Sequence, residues 1–205
     1  MTGSTEAEIE RAAEAATRGE LVVIPTDTVY GIGTRPDDPD ATARLFVAKR
    51  RPRALELPVL VPSQEAAERI GELDHRARRL ARRFWPGPLT IVVRRSAASS
   101  GWDLGGNPDT IGLRIPDHPV ALRVLRTAGP LAVTSANLSG RPTPATCEEV
   151  AALFGSAVSV TLCADEPLSG QASTIVDVTN DIPVVLRPGA TPNTDIADVL
   201  PEVSM

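Results

Sequence analysis

The stretch that most constrains the fold is Leu21-Val22-Val23-Ile24, followed at once by Pro25-Thr26-Asp27-Thr28-Val29-Tyr30-Gly31-Ile32-Gly33. Four apolar residues in a row read as a short strand buried in a sheet. Pro25 ends it. Gly31 and Gly33 then read as a glycine turn, open to backbone geometries that a side chain forbids. Two hydroxyls, a carboxylate and the chain's one tyrosine stand between. Open α/β sheets place ligands at such strand ends, whereas most loops only connect. The stretch by itself supports a binding site and a plain turn equally, and Tyr30 reads as core or as ligand packing.

Further strand signals fall at 57–61, 89–93, 110–115, 131–134, 158–162, 174–178 and 184–186. Helical signals fall between the early ones. Residues 5–18 carry a capping box in Thr5 and Glu8 and a stop at Gly19. Residues 38–48 have Pro39 early; 63–71, 74–84 and 118–127 follow, and Thr146 and Glu149 cap a short later helix. Strands that alternate with helices early and cluster late predict an α/β fold with a large, twisted, mixed sheet flanked by helices. No linker or repeat divides the 205 residues, so one domain over 5–190 is expected, with 191–205 a loose tail. The Gly/Ser/Asn-rich stretch 96–109 reads as a mobile loop.

Aromatic residues make up 3% of the chain, so Val, Leu, Ile and Ala must build the core. Net charge is -5, which argues against nucleic-acid binding by bulk electrostatics but permits a local basic pocket. Cys147 and Cys163 form no C-x-x-C pair and have no neighbouring histidine, so neither zinc nor a disulfide is expected. The polar, acidic start shows no signal peptide, and no apolar run approaches membrane-spanning length; a cytoplasmic protein is expected.

The chain has 21 cationic side chains, and Lys49 is the single lysine among them. An ammonium is a compact point charge and a guanidinium a planar fork, so the two do not substitute at a phosphate. Lys49-Arg50-Arg51-Pro52-Arg53 ends a predicted helix, where cations either complement the helix dipole or grip a polyanion.

Familiar catalytic motifs are missing. There is no G-x-x-x-x-G-K-[ST] loop, Pro36 stands where a dinucleotide fingerprint needs its third glycine, and Ser135 lies in no nucleophile elbow. Neither His75 nor His118 has an acidic partner in sequence suited to a Ser-His-Asp set. What remains is a set of cations and small polar groups at strand ends: Thr28, Lys49, Arg51, Thr110, Arg114, Ser135, Asn137, Ser173 and Arg187. Such a set suits phosphoryl or nucleotidyl transfer, which asks mainly for positioning and charge neutralisation. Arg114, in an apolar strand, needs either an anionic ligand or an internal ion pair.

Taken in order, Pro25 to Gly33, Lys49-x-Arg51, Phe84-Trp85-Pro86-Gly87-Pro88-Leu89-Thr90, Gly112-Leu113-Arg114-Ile115-Pro116, Ser135-x-Asn137, Ser173-Thr174-Ile175-Val176-Asp177 and Arg187-Pro188-Gly189 resemble the YrdC/TsaC family of threonylcarbamoyl-AMP synthases. The resemblance implies a YrdC-like sheet around a basic central pocket. It also implies that L-threonine, bicarbonate and ATP, with Mg²⁺, give threonylcarbamoyl-AMP and pyrophosphate. That product serves threonylcarbamoyladenosine formation in tRNA with TsaD-, TsaB- and TsaE-type partners. Carried over by motif, Thr28, Arg114, the Val133 backbone and Ser173 hold threonine. Lys49, Arg51, Ser135 and Asn137 form the catalytic set around the triphosphate, and Thr110, Thr143 and Arg187 also contact ATP.

The chain departs from the family's common pattern at three places: Arg50 replaces a glycine, Leu55 an asparagine and Leu60 a histidine. The competing reading is a double-stranded RNA or tRNA-binding module without catalysis, using the arginine helix from Arg76 to Arg83.

Overall fold

Thr5 starts the first helix. Its hydroxyl accepts from the Glu8 amide while the Glu8 carboxylate accepts from the Thr5 amide, so α1 (Glu6–Thr17) opens with the expected capping box. The structure, a computed structural model, describes residues 4–204. The first three residues of the polar start, and the last of the 191–205 tail, lie outside it. After α1 come β1 (Val22–Ile24), β2 (Gly31–Thr34), α2 (Pro39–Lys49), β3 (Val59–Leu60), α3 (Gln64–Ile70), β4 (Gly71–Glu72) and α4 (His75–Phe84). Then follow β5 (Leu89–Arg95), β6 (Thr110–Arg114), α5 (Pro119–Ala128), β7 (Leu131–Ser135), α6 (Cys147–Phe154), β8 (Val160–Thr161), β9 (Thr174–Asp177), β10 (Val184–Arg187) and α7 (Asn193–Val199).

All ten strands join one mixed sheet in the order β10-β9-β5-β6-β3-β7-β2-β1-β8, with β4 on the side of β5. Alternation along each strand divides the core. Val22, Ile24, Leu60, Leu131 and Val133 pack with α1 and α5, whereas Val23, Ile32, Val59 and Ala132 face the larger cluster that includes α2 and α4. The fold class agrees with the expectation: mixed α/β, a single large sheet, helices on both faces.

Gly31 and Gly33 are not a turn. They lie within β2, paired to Ser135 and Val133 of β7, and neither adopts a left-handed φ. What they supply is room. A Cβ on either would stand 2.6 Å from the Val133 side chain, and one on Gly33 also 2.6 Å from the Ala132 carbonyl oxygen. Among the described residues the one non-glycine with a left-handed φ is Arg50, with φ 51°, at the end of α2. A side chain there costs energy that glycine does not.

Three further expectations are corrected. Residues 96–109 pack into the fold: Ser99 and Leu104 are fully buried, and the Leu57 amide donates to the Leu104 carbonyl. Both Asp103 carboxylate oxygens accept from Arg53, at 2.8 and 2.7 Å. The segment after 190 is not loose either. Ile196 and Leu200, one helical turn apart, are fully buried, and the Ser204 amide donates to the Pro183 carbonyl.

Cys147 and Cys163 form a disulfide, with Cα atoms 5.5 Å apart. Sequence spacing could not show this, because β1, β2 and β8 bring the two segments together. The bridge closes a loop 16 residues long, for which chain entropy gives about 3 kcal/mol. Cys147→Ser is therefore expected to lose about that much in denaturant unfolding. Wild type under reductant should fall to the same level; unchanged stability in both would show that the bridge contributes nothing.

Candidate active site

One cleft opens at the centre of the sheet. The β1–β2 connection brings Thr26 and Thr28 to it, and β6 ends in it with Arg114. Strand β7 brings Val133, Thr134 and Ser135; β5 brings Thr90; the start of β9 brings Ser173 and Ile175; β10 brings Arg187. The segment between α2 and β3 supplies Arg51, Glu56 and Pro58, with Leu60 from β3 itself. The parallel pairs β3–β6 and β5–β9 align the strand ends that build it.

The polar groups are held in place by one another. Thr26 Oγ1 lies 2.9 Å from Thr28 Oγ1 and donates to the Val29 carbonyl at 2.6 Å, which fixes the loop as a turn built on threonine hydroxyls. Thr90 Oγ1 lies 3.0 Å from Ser173 Oγ. Tyr30 is buried, and its hydroxyl accepts from the Ala164 amide at 3.1 Å; it belongs to the core.

Three guanidinium groups share the cleft. Arg114 is almost fully buried. Its Nε donates to the Gly87 carbonyl at 3.0 Å, one terminal nitrogen to Thr28 Oγ1 at 3.1 Å, and the other to Asp27 Oδ1 at 2.6 Å. The internal ion pair is thus real, yet a guanidinium has five donors and three are used here. Arg187 donates to the Ser173 carbonyl at 2.6 Å and to Ser173 Oγ at 3.2 Å. Arg51 donates to the carbonyls of Leu55 and Glu56. Burial lowers the pKa of all three. The charge of Arg187 lowers Arg51 further, and that of Arg114 lowers Arg187. Only Arg114 has a carboxylate partner; among the described residues, Arg51 and Arg187 form no ion pair. An anion entering the cleft therefore meets uncompensated charge.

Lys49 sits behind this wall. It is 1% exposed, and its Nζ donates to the carbonyls of Ser135 and Asn137 and, at 3.3 Å, to Asn137 Oδ1. Burial first, then the Arg51 charge, lowers its pKa to about 7. Asn137 Oδ1 also accepts from Ser135 Oγ at 2.6 Å, and its amide donates to the Leu138 and Arg141 carbonyls. The lysine thereby pins the loop that follows β7.

Of the residues singled out from sequence, Thr28, Arg51, Arg114, Val133, Ser135, Ser173 and Arg187 line one cleft. Lys49, Asn137, Thr110 and Thr143 do not line it among the described residues. Lys49 and Asn137 support it from behind, Thr110 opens β6, and Thr143 lies on the loop beyond Asn137. Sequence reasoning missed Thr26, Thr90, Thr134 and Glu56. Glu56 did carry a signal: a lone charge between Leu55 and Leu57, just before a strand. Of the departures, Leu60 is buried against the cleft, whereas Leu55 is exposed and only its carbonyl takes part.

A sequence model of the Sua5, YciO and YrdC proteins, described as telomere recombination, matches residues 14–189. The chain belongs to the Sua5/YciO/YrdC family. A relative named putative threonylcarbamoyl-AMP synthase, from Mycobacterium tuberculosis, is 46% identical over 193 residues, 94% of this chain and 88% of that protein. Among solved structures of the family, Pyrococcus abyssi Sua5 complexed with L-threonine superposes with a TM-score of 0.88 at 36% identity. That match covers 98% of this chain but only 60% of Sua5, so the chain spans well under two thirds of the longer protein. Escherichia coli YciO matches over 92% of both chains, with a TM-score of 0.83 at 26% identity.

Proposed function

We propose that the cleft makes threonylcarbamoyl-AMP and pyrophosphate from L-threonine, bicarbonate and ATP. One observation carries the reading: three guanidinium groups, of which Arg114 is buried, converge on a hydroxyl-lined cleft at the centre of the sheet, and the other two have no carboxylate partner among the described residues. The relatives' shared name, threonylcarbamoyl-AMP synthase, supports the same reaction.

In this reading the threonine carboxylate takes the free donors of Arg114, beside Thr28, the Val133 backbone and Ser173. A planar fork suits a carboxylate, and a buried one binds it more strongly than an exposed one. The threonine nitrogen takes up carbon from bicarbonate to form a carbamate. A carbamate oxygen then attacks the α-phosphorus of ATP, the bond to the β-phosphate breaks, and pyrophosphate leaves. Two anions must approach one another, so Arg51 and Arg187 neutralise the triphosphate while Ser135, held from behind by Asn137 and Lys49, fixes its position. Thr110 and Thr143 stand further out along the nucleotide.

Mg²⁺ is proposed to travel with the triphosphate. Among the described residues no three His, Cys, Asp or Glu side chains cluster as a metal cage, which suits a hard cation held by phosphate oxygens and water. It would offset phosphate charge. We place the reaction in the cytoplasm, upstream of TsaD-, TsaB- and TsaE-type proteins that pass the group to tRNA; no helix among the described residues is long and apolar enough to cross a membrane.

The RNA-module reading is not favoured. In α4, Arg76 donates to the carbonyls of Val178, Asn180 and Asp181, and Arg79 to that of Val199. Those cations staple the end of the sheet and α7.

Purified protein with ATP and Mg²⁺ should release pyrophosphate only when both threonine and bicarbonate are added. Release that ignores either one rules out this reaction.

A further inference from the structure

The proposed reaction has a proton to remove. Threonine is held mainly as an ammonium at neutral pH, and an ammonium has no lone pair with which to attack carbon. Arginines cannot take the proton, and the Lys49 amine is turned away, donating to carbonyls behind the cleft. Among the residues lining the cleft, Glu56 carries the one carboxyl. Its Oε1 is buried and accepts no hydrogen bond, and among the described residues it forms no ion pair.

We propose that Glu56 is the proton acceptor that frees the threonine amine for attack on bicarbonate carbon; this rests on the proposed reaction. The ammonium gives a proton to Glu56, and the nitrogen lone pair forms the N–C bond. The carboxylic acid returns that proton to the hydroxyl leaving carbon, which departs as water. The nitrogen then loses its second proton to Glu56 and from there to solvent. Ammonium and bicarbonate thus yield carbamate, water and one proton, and nothing is oxidised or reduced.

The surroundings suit a group that must both take and return a proton. Burial raises the Glu56 pKa to about 7, opposed by the charge of Arg95 on β5 and by the Gly112 amide and Thr110 hydroxyl on β6, and reinforced by Asp177 on β9. Arg51, Arg114 and Arg187 face the same cleft.

The test is Glu56→Gln, which keeps shape and removes titration. Folding should not suffer. A carboxyl whose folded pKa lies above its unfolded one favours the fold at low pH and loses that contribution as pH rises towards 7. Above pH 7 the glutamine variant should therefore melt no lower than wild type. Its kcat/KM for threonine at pH 7 should fall roughly 100-fold or more. Wild-type kcat/KM should rise to a plateau with an apparent pKa near 7. The variant should lack that step and keep rising into the alkaline range as threonine deprotonates in solution. Three results overturn the inference: an unchanged pH profile, an equal loss at every pH, or a raised Mg²⁺ requirement with the profile intact, which would make Glu56 a metal ligand. If wild type itself shows no threonine- and bicarbonate-dependent pyrophosphate release, the reaction fails instead, and that result is distinct from the other three.

Discussion

Arg114→Ala is expected to destabilise the fold by about 3–5 kcal/mol, the usual cost of removing one partner from a buried ion pair. Asp27 Oδ1 would keep only the Asp117 amide, at 3.0 Å, and Asp27 Oδ2 is already buried without a partner. The Gly87 carbonyl and Thr28 hydroxyl would lose a donor as well. Denaturant unfolding measures the loss, and a double-variant cycle assigns its cause. Adding Asp27→Ala removes the stranded carboxylate and should recover a large part of the stability; no recovery would mean that the cost lies in packing. Threonine use should not return with the fold, because the carboxylate-binding fork is gone. Arg114→Lys should also fail there, since an ammonium cannot span Gly87, Thr28 and Asp27 together.

Lys49→Ala should be nearly as severe, for a different reason. Two backbone carbonyls and the Asn137 side chain would lose their shared donor, at about 1–3 kcal/mol for each buried acceptor left unpaired. Turnover should drop at least 100-fold, as the loop carrying Ser135 and Asn137 loses its anchor. Lys49→Met fills the same space without charge and separates the two effects. Because the folded pKa of Lys49 is depressed to about 7 from 10.5, the unfolded chain binds a proton between those values that the folded chain has released. Wild-type stability should accordingly rise with pH across that window relative to the methionine variant, with a slope approaching 1.4 kcal/mol per pH unit, or about one proton. Parallel profiles would show that the lysine keeps its ordinary affinity for protons.

Much of this was legible in the chain and some of it was not, for identifiable reasons. Apolar runs marked strands because β1, β5 and β6 are buried on both faces. Capping residues marked helices because Thr5, Asp38, Ser63, Asp74 and Thr146 do accept from the first-turn amides. The glycines of β2 were misread because close approach of Val133 and a turn demand the same residue. The disulfide and the α7 docking depend on distant segments meeting. Polarity marked 96–109 as a loop, but Leu104, inside it, anchors it to Leu57. At the site, composition pointed to Lys49 as exceptional, and it is, but as the buried pin of a loop behind the cleft. Arg114 allowed two readings, and both can hold at once: three of its donors serve the fold, and two remain for a ligand.

The most direct test of the account is the product itself. Protein incubated with ATP, Mg²⁺, threonine and carbon-13-labelled bicarbonate should yield, by mass spectrometry, an adenylate with the mass of threonylcarbamoyl-AMP. That mass should be one unit above the product made from unlabelled bicarbonate. Only ADP or AMP, or an adenylate without the label, would contradict it.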